Sequence, residues 1–388
     1  MEVSYWIEVV LFFTLFMPLT ALSSELQCLN VPSGASESFG YSLAATNEVV
    51  LVGDPGANIV WAFEEDAEGI WQASAIHPPS DSDADEFGRG FGRSVAIDAD
   101  GAIVIGAFVE EALGVTPRKK PGDGFRRLGE VFFAPDTTSP VVLLPGLDAL
   151  KDTEAFGFSV TRTGRNIAIG MRKVSGERYG SSSVLVSDVA SGAQTRVSAP
   201  TSESANDFGY ALASAGTTLV IGSTWLAPSG GGVIYDLDTG EKSVLTLPQE
   251  TPRTGFSVAT DGTRAVFGGE ATVITERMAN GWVVAETFAA VNGTVAIGGD
   301  RVGTLREGAR NREAGANATT PPLDLTVITD GAAVISRLAE YGDRADGQWS
   351  HRALAMAADF AVVGRPIEVE KCKLAIVHLH DSTKAQRE

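Results

Sequence analysis

The chain has 388 residues, with 49 Asp and Glu against 30 Lys and Arg, for a net charge of −19. A surface that negative repels phosphate backbones and anionic lipid, which argues against nucleic acid as a partner. The length suits one large domain or a few ordinary ones and leaves room for a substantial core.

Residues 6–22 (WIEVVLFFTLFMPLTAL) are nearly all apolar and lead into Ala21-Leu22-Ser23, where small residues occupy the positions a signal peptidase reads. Residues 1–23 are therefore predicted to be a secretory signal and 24–388 the mature domain. Glu2 and Glu8 stand where such signals carry Lys or Arg, and an uncleaved anchor of similar length has the same pattern. No other segment approaches a spanning length, so no membrane span is expected after cleavage. Cys28 and Cys372 are a candidate disulfide in an oxidising compartment. The sequons at Asn292 and Asn317 are compatible with secretion as a glycoprotein.

Further along, one pattern recurs. FGYSLAATNEVVLVGDP starts at Phe39, FGRSVAIDADGAIVIGA at Phe91, FGFSVTRTGRNIAIG at Phe156, FGYALASAGTTLVIG at Phe208 and GFSVATDGTRAVFGG at Gly255. The first four have a Phe-Gly start and the fifth a Gly-Phe, and each has a short strand, a polar turn and an apolar strand ending in Gly. FAAVNGTVAIGG from Phe288 and ALAMAADFAVVG from Ala353 keep what reads as the second strand but lack the Phe-Gly start. Counting those strands by Gly53, Gly106, Gly170, Gly222, Gly268, Gly298 and Gly364 gives seven units. Third strands follow at Ile59, Gly129, Ser182, Gly232 and Leu374, and fourth strands at Gly69, Val141 and Gln194. Four short antiparallel strands repeated around seven units predict an all-β, seven-bladed propeller. Radial stacking then buries both faces of the middle strands, as AIVIG and LVIGS require.

The repeats resemble the FG-GAP repeats of integrin-α-like propellers in their compact secreted form. Gly-Asp-Pro at Gly53 and Gly-Arg-Pro at Gly364 stand where that family has Gly-Ala-Pro. The spacing of 30 residues from Gly268 to Gly298, against 66 to Gly364, predicts that one or two blades are degenerate. Blade five or six is expected to lack or borrow a strand, with residues 300–322 as a long polar loop. The ring is expected to close by pairing residues 26–32 with 374–380, which would bring Cys28 near Cys372 as a clasp.

Site motifs are sparse. Some integrin-type blades hold calcium in an expanded first turn, but the turn at Asp98-Ala99-Asp100-Gly101 is tight and reads as turn chemistry. Asp81, Asp83 and Asp85 resemble the start of a calcium loop without its glycine and final glutamate, and a solvated acidic linker is the preferred reading. His378 and His380 share a strand face at a spacing a transition metal uses, with no third histidine nearby in sequence. No cofactor is therefore expected, calcium being the weaker alternative. The basic insert Arg118-Lys119-Lys120, with Arg126-Arg127, reads as a solvated loop, the alternatives being an acidic-glycan site or a protease-sensitive loop. No Gly-x-Ser-x-Gly or triad is present. The expectation is a monomeric, secreted or surface-displayed binding or adhesion module, without catalysis, whose loops on one face take a protein or glycan. A glycan-active enzyme with a site in the channel and a structural wall or matrix component are the alternatives.

Overall fold

The computed structural model describes residues 26–80, 90–108, 129–147, 154–175, 178–201, 207–226, 230–247, 253–289, 293–307, 323–329, 332–339, 353–364 and 373–379. Among the described residues the regular structure is all β: 28 strands in seven four-stranded antiparallel sheets. The first strands of the seven sheets are Ser42–Ala45, Phe91–Ile97, Glu154–Thr163, Leu212–Ala215, Ser257–Thr260, Thr294–Gly298 and Leu354–Met356. Each touches the first strand of the next sheet and the last touches the first, so together they form the inner wall of a closed ring. This is the predicted seven-bladed propeller.

Burial explains the arrangement. The second strands Ile103–Phe108 and Thr218–Ser223 are buried at every position, whereas the outermost Trp71–Ile76 is buried only at its ends. A middle strand apolar on both sides must meet a neighbour on each, and the hydrophobic core accordingly divides into seven clusters, one between each pair of adjacent blades. Phe39, Phe91, Phe156 and Phe208, the aromatics of the repeated motif, are fully buried in four of these clusters. Burying each ring contributes about 2–3 kcal/mol.

Blade seven is composite. Leu354–Met356, Phe360–Gly364 and Leu374–His378 are completed on the outside by Leu26–Cys28, with Leu26 opposite Val377 and Cys28 opposite Ala375. Closure by the N-terminal strand thus follows the sequence expectation.

Blade six departs from it. Gly298 ends the first strand of that blade, Thr294–Gly298, and the second strand is Arg301–Glu307, inside the stretch expected to be a loop. The short spacing from Gly268 therefore compares a second strand with a first strand, and no strand is missing: blades five and six each have four. The remainder of that expected loop, residues 308–322, lies outside the described residues.

The turns joining first to second strands tie the lower face together. Thr163 Oγ1 donates to the Gly216 carbonyl (3.0 Å), Thr218 Oγ1 to Gly262 (3.1 Å), and the Arg264 guanidinium to Gly299 (2.8 Å) and Asp300 (2.7 Å). Arg301 donates to Ala358 (2.9 Å), whose own amide donates to Asn47 Oδ1 (2.9 Å) in blade one. Contacts between the ring's own turns thus run along the lower face, and the Phe-Gly motifs lie on the upper one.

Candidate functional site

The upper face is built from the motif Phe-Gly-x-Ser. Its glycine adopts a left-handed backbone, as at Gly92 (φ 86°) and Gly157 (φ 82°), a conformation that side-chain-bearing residues rarely take. That turn aims the glycine carbonyl at the preceding blade, where a serine hydroxyl donates to it. Ser42 reaches Gly92 O (2.8 Å), Ser94 reaches Gly157 O (2.9 Å) and Ser159 reaches Gly209 O (2.6 Å). The closing glycine of the preceding blade faces the same oxygen: a Cβ on Gly53, Gly106, Gly170 or Gly222 would overlap the carbonyl of Gly92, Gly157, Gly209 or Gly255. Serine, closing glycine and motif glycine are thus one joint between blades. Blade four has Ala211 in place of the serine, and at blade five the Ser257 hydroxyl accepts from the Val295 amide instead (3.1 Å).

The residue between glycine and serine is left at the upper rim of the inner wall. In blades one to five it is Tyr41, Arg93, Phe158, Tyr210 and Phe256. The first four are half-buried and Phe256 is exposed. The Arg93 guanidinium lies 5.1 Å from the centre of the Tyr41 ring and 5.6 Å from that of Phe108, and Phe108 meets Phe158 edge-on at 6.1 Å. The Tyr210 and Phe256 rings are 5.1 Å apart. Blade six has Thr294 at this position, and the counterpart in blade seven lies outside the described residues. The result is an arc of aromatic faces with one cation in it.

Neighbouring carboxylates are buried and engaged in shaping the loops. Asp54 accepts from the Ser36 amide (2.8 Å) and hydroxyl. Asp207 accepts from Ser223 Oγ (2.9 Å), the Thr224 amide (2.8 Å) and the Thr224 hydroxyl. The second of these pins the turn that presents Trp225, 65% exposed, on the same face as Tyr210 and Phe256. Arg93 differs from five other arginines of the ring. Arg162, Arg165, Arg264, Arg277 and Arg301 each lie beside an aspartate, whereas among the described residues no carboxylate is within ion-pair distance of Arg93.

Most of the sequence-derived candidates lie elsewhere. Asp98 is buried on the lower face; its Oδ1 accepts from the Asp100 and Ala102 amides (both 3.0 Å). Its Oδ2 is 2.9 Å from Arg162 Nε, whose N–H is directed at the Gly164 carbonyl, so that pair is held by charge rather than by an aligned hydrogen bond. His378 Nε2 is 3.2 Å from Gln27 Oε1 across the closing strand pair. Cys28 is disulfide-bonded. Asp81, Asp83, Asp85, His380, Cys372, Asn292, Asn317 and the basic insert lie outside the described residues. Among the described residues no group of three or more His, Cys, Asp or Glu side chains is placed to share a metal ion, and no helix is long and apolar enough to cross a membrane. The arc itself was readable in the sequence as the third column of the motif, Tyr, Arg, Phe, Tyr, Phe.

No family model matches the chain, and no curated protein does. Among solved structures, the chain is similar to that of a streptogramin B lyase, at 12% identity, with a TM-score of 0.52 over 92% of this chain and 98% of the other. At that identity the likeness shows the shared fold alone.

Proposed function

We propose that this protein is a secreted, FG-GAP-type β-propeller that binds a glycan or protein partner through its upper face and does not itself catalyse a reaction. The observation that carries the reading is the arc of Tyr41, Arg93, Phe158, Tyr210 and Phe256, which the motif places in equivalent positions on successive blades and leaves partly open to solvent. Aromatic faces with polar edges are what binding surfaces are enriched in.

The fold shared with a lyase supplies an enzymatic alternative, but fold does not carry activity. A glycan-array and secretome capture screen with residues 24–388 and its Tyr210→Ala/Phe256→Ala variant separates the readings. Capture that the variant weakens supports binding through the upper face. Turnover of a captured sugar supports the enzyme, and capture indifferent to the variant removes the upper face from the account.

A further inference from the structure

We infer that the rim over blades one to three is a site for an acidic sugar, a pyranose carrying a carboxylate or sulfate, with Arg93 as the residue that holds the charge. The inference rests on the binding reading above and names the ligand class of that same face.

The chemistry begins with Arg93. A guanidinium stacked on aromatic rings keeps its N–H donors along its edge, because the face is what meets the rings. The Arg93 guanidinium carbon lies over the Tyr41 and Phe108 rings, 5.1 Å and 5.6 Å from their centres. Five other arginines of this acidic chain lie beside aspartates. Arg93 is half-buried, lies over two rings, and lacks such a carboxylate among the described residues. A planar fork of donors fits a carboxylate or sulfate with two parallel hydrogen bonds.

The surroundings select a sugar as the carrier of that anion. The apolar C–H faces of a pyranose stack on shallow aromatic surfaces; Tyr41 and Phe108 lie beside the guanidinium, and Phe158 extends the surface by meeting Phe108 edge-on. Tyr210, Phe256 and Trp225 continue such surfaces over blades four and five for further sugar units without adding charge. The net charge of −19 opposes a long polyanion. That field is screened beyond about 8 Å at physiological salt, so a short acidic oligosaccharide feels the local cation more than the distant charge.

The test is calorimetric titration of residues 24–388 with four probes: an oligogalacturonate hexamer, a sulfated galactan hexamer without uronate, a neutral galactan hexamer, and hexaglutamate. The same titrations are run on Arg93→Gln and Arg93→Lys, with melting curves to establish that each variant folds. At least one acidic sugar is expected to bind, about tenfold or more tightly than the neutral one. Arg93→Gln is expected to abolish that preference and Arg93→Lys to retain part of it, since Lys keeps the charge without the fork. The uronate and sulfate arms identify the anionic group. Equal affinity for acidic and neutral sugars, no binding of either acidic sugar, an unchanged Arg93→Gln, or hexaglutamate binding as tightly as the sugars each overturns the inference. A partner that is lost in Tyr210→Ala/Phe256→Ala but not displaced by any acidic sugar removes the ligand class and leaves the binding reading standing; absence of any such partner removes both.

Discussion

At the scale of single residues, the joint between blades explains why three small residues recur. Ser94 donates across 63 positions to Gly157, and Gly106 makes room for the same oxygen. Ser94→Ala leaves a buried carbonyl with one partner fewer and is expected to lower stability by about 1–2 kcal/mol in urea unfolding. Gly106→Ala forces a methyl into that carbonyl and is expected to cost more, about 3 kcal/mol or above. Blade four supplies the reverse experiment: Ala211→Ser restores the missing donor opposite Gly255 and is expected to raise stability by about 0.5–1 kcal/mol, with an unchanged or lower midpoint counting against the joint. The glycines were legible in the sequence because each closes an apolar run. Their purpose was not, because the atom each one avoids belongs to the next blade. The same holds for Arg93, whose significance lies in Tyr41 and Phe108, one from the blade before and one from the neighbouring strand.

At the scale of elements, the turns between third and fourth strands show a second repeat. Asp66, Asp136, Asp188 and Asp236 open these turns in blades one to four, and each accepts from backbone amides just downstream, as Asp136 Oδ1 does from Thr138 (2.8 Å) and Ser139 (2.6 Å). The Thr138 and Ser139 hydroxyls, with those amides, hold the Asp136 carboxyl down to about 2. The Gln72 side chain and Ile70 amide lower Asp66, and the Ser191 and Thr239 amides lower Asp188 and Asp236. A carboxyl depressed on folding stabilises the native state above its unfolded value, about 3.9, and that contribution disappears as pH falls through the folded value. The melting temperature is therefore expected to drop between about pH 4 and pH 2, and Asp136→Asn, which keeps the acceptor and removes the titration, to flatten that limb. An identical acid limb in circular-dichroism melts of the two proteins would contradict this. Elements also mark where sequence reading failed. Val295, Ala296 and Ile297 are apolar like a second strand, yet lie on a first strand, because blade six has Gly293 without the phenylalanine that identifies the start in blades one to four.

At the scale of the whole molecule, the count of blades and the closure were legible because both follow from a repeat with a leftover strand at each end. The upper-face arc was legible only as a column of the motif, and not as one surface, since it assembles five positions from five blades. Strand Leu26–Cys28 sets Cys28 opposite Ala375, three residues in sequence from Cys372, and a Cys28–Cys372 clasp is proposed to lock the ring. Cys28→Ser is expected to cost about 2–5 kcal/mol and to speed amide exchange in residues 26–28 and 374–378 before the other blades; uniform exchange would show that the clasp does not guard the closure. The composite blade also bears on how the protein is made. Gln27 and His378 are 351 positions apart, so the ring stays open until nearly the whole chain has left the ribosome. Until then Phe39, Trp61 and Trp71 on blade one and Leu325 and Val327 on blade six have no blade seven to cover them. A stop codon shortly before residue 374 would thus yield an arc with two sticky ends, prone to joining other copies, rather than a smaller propeller.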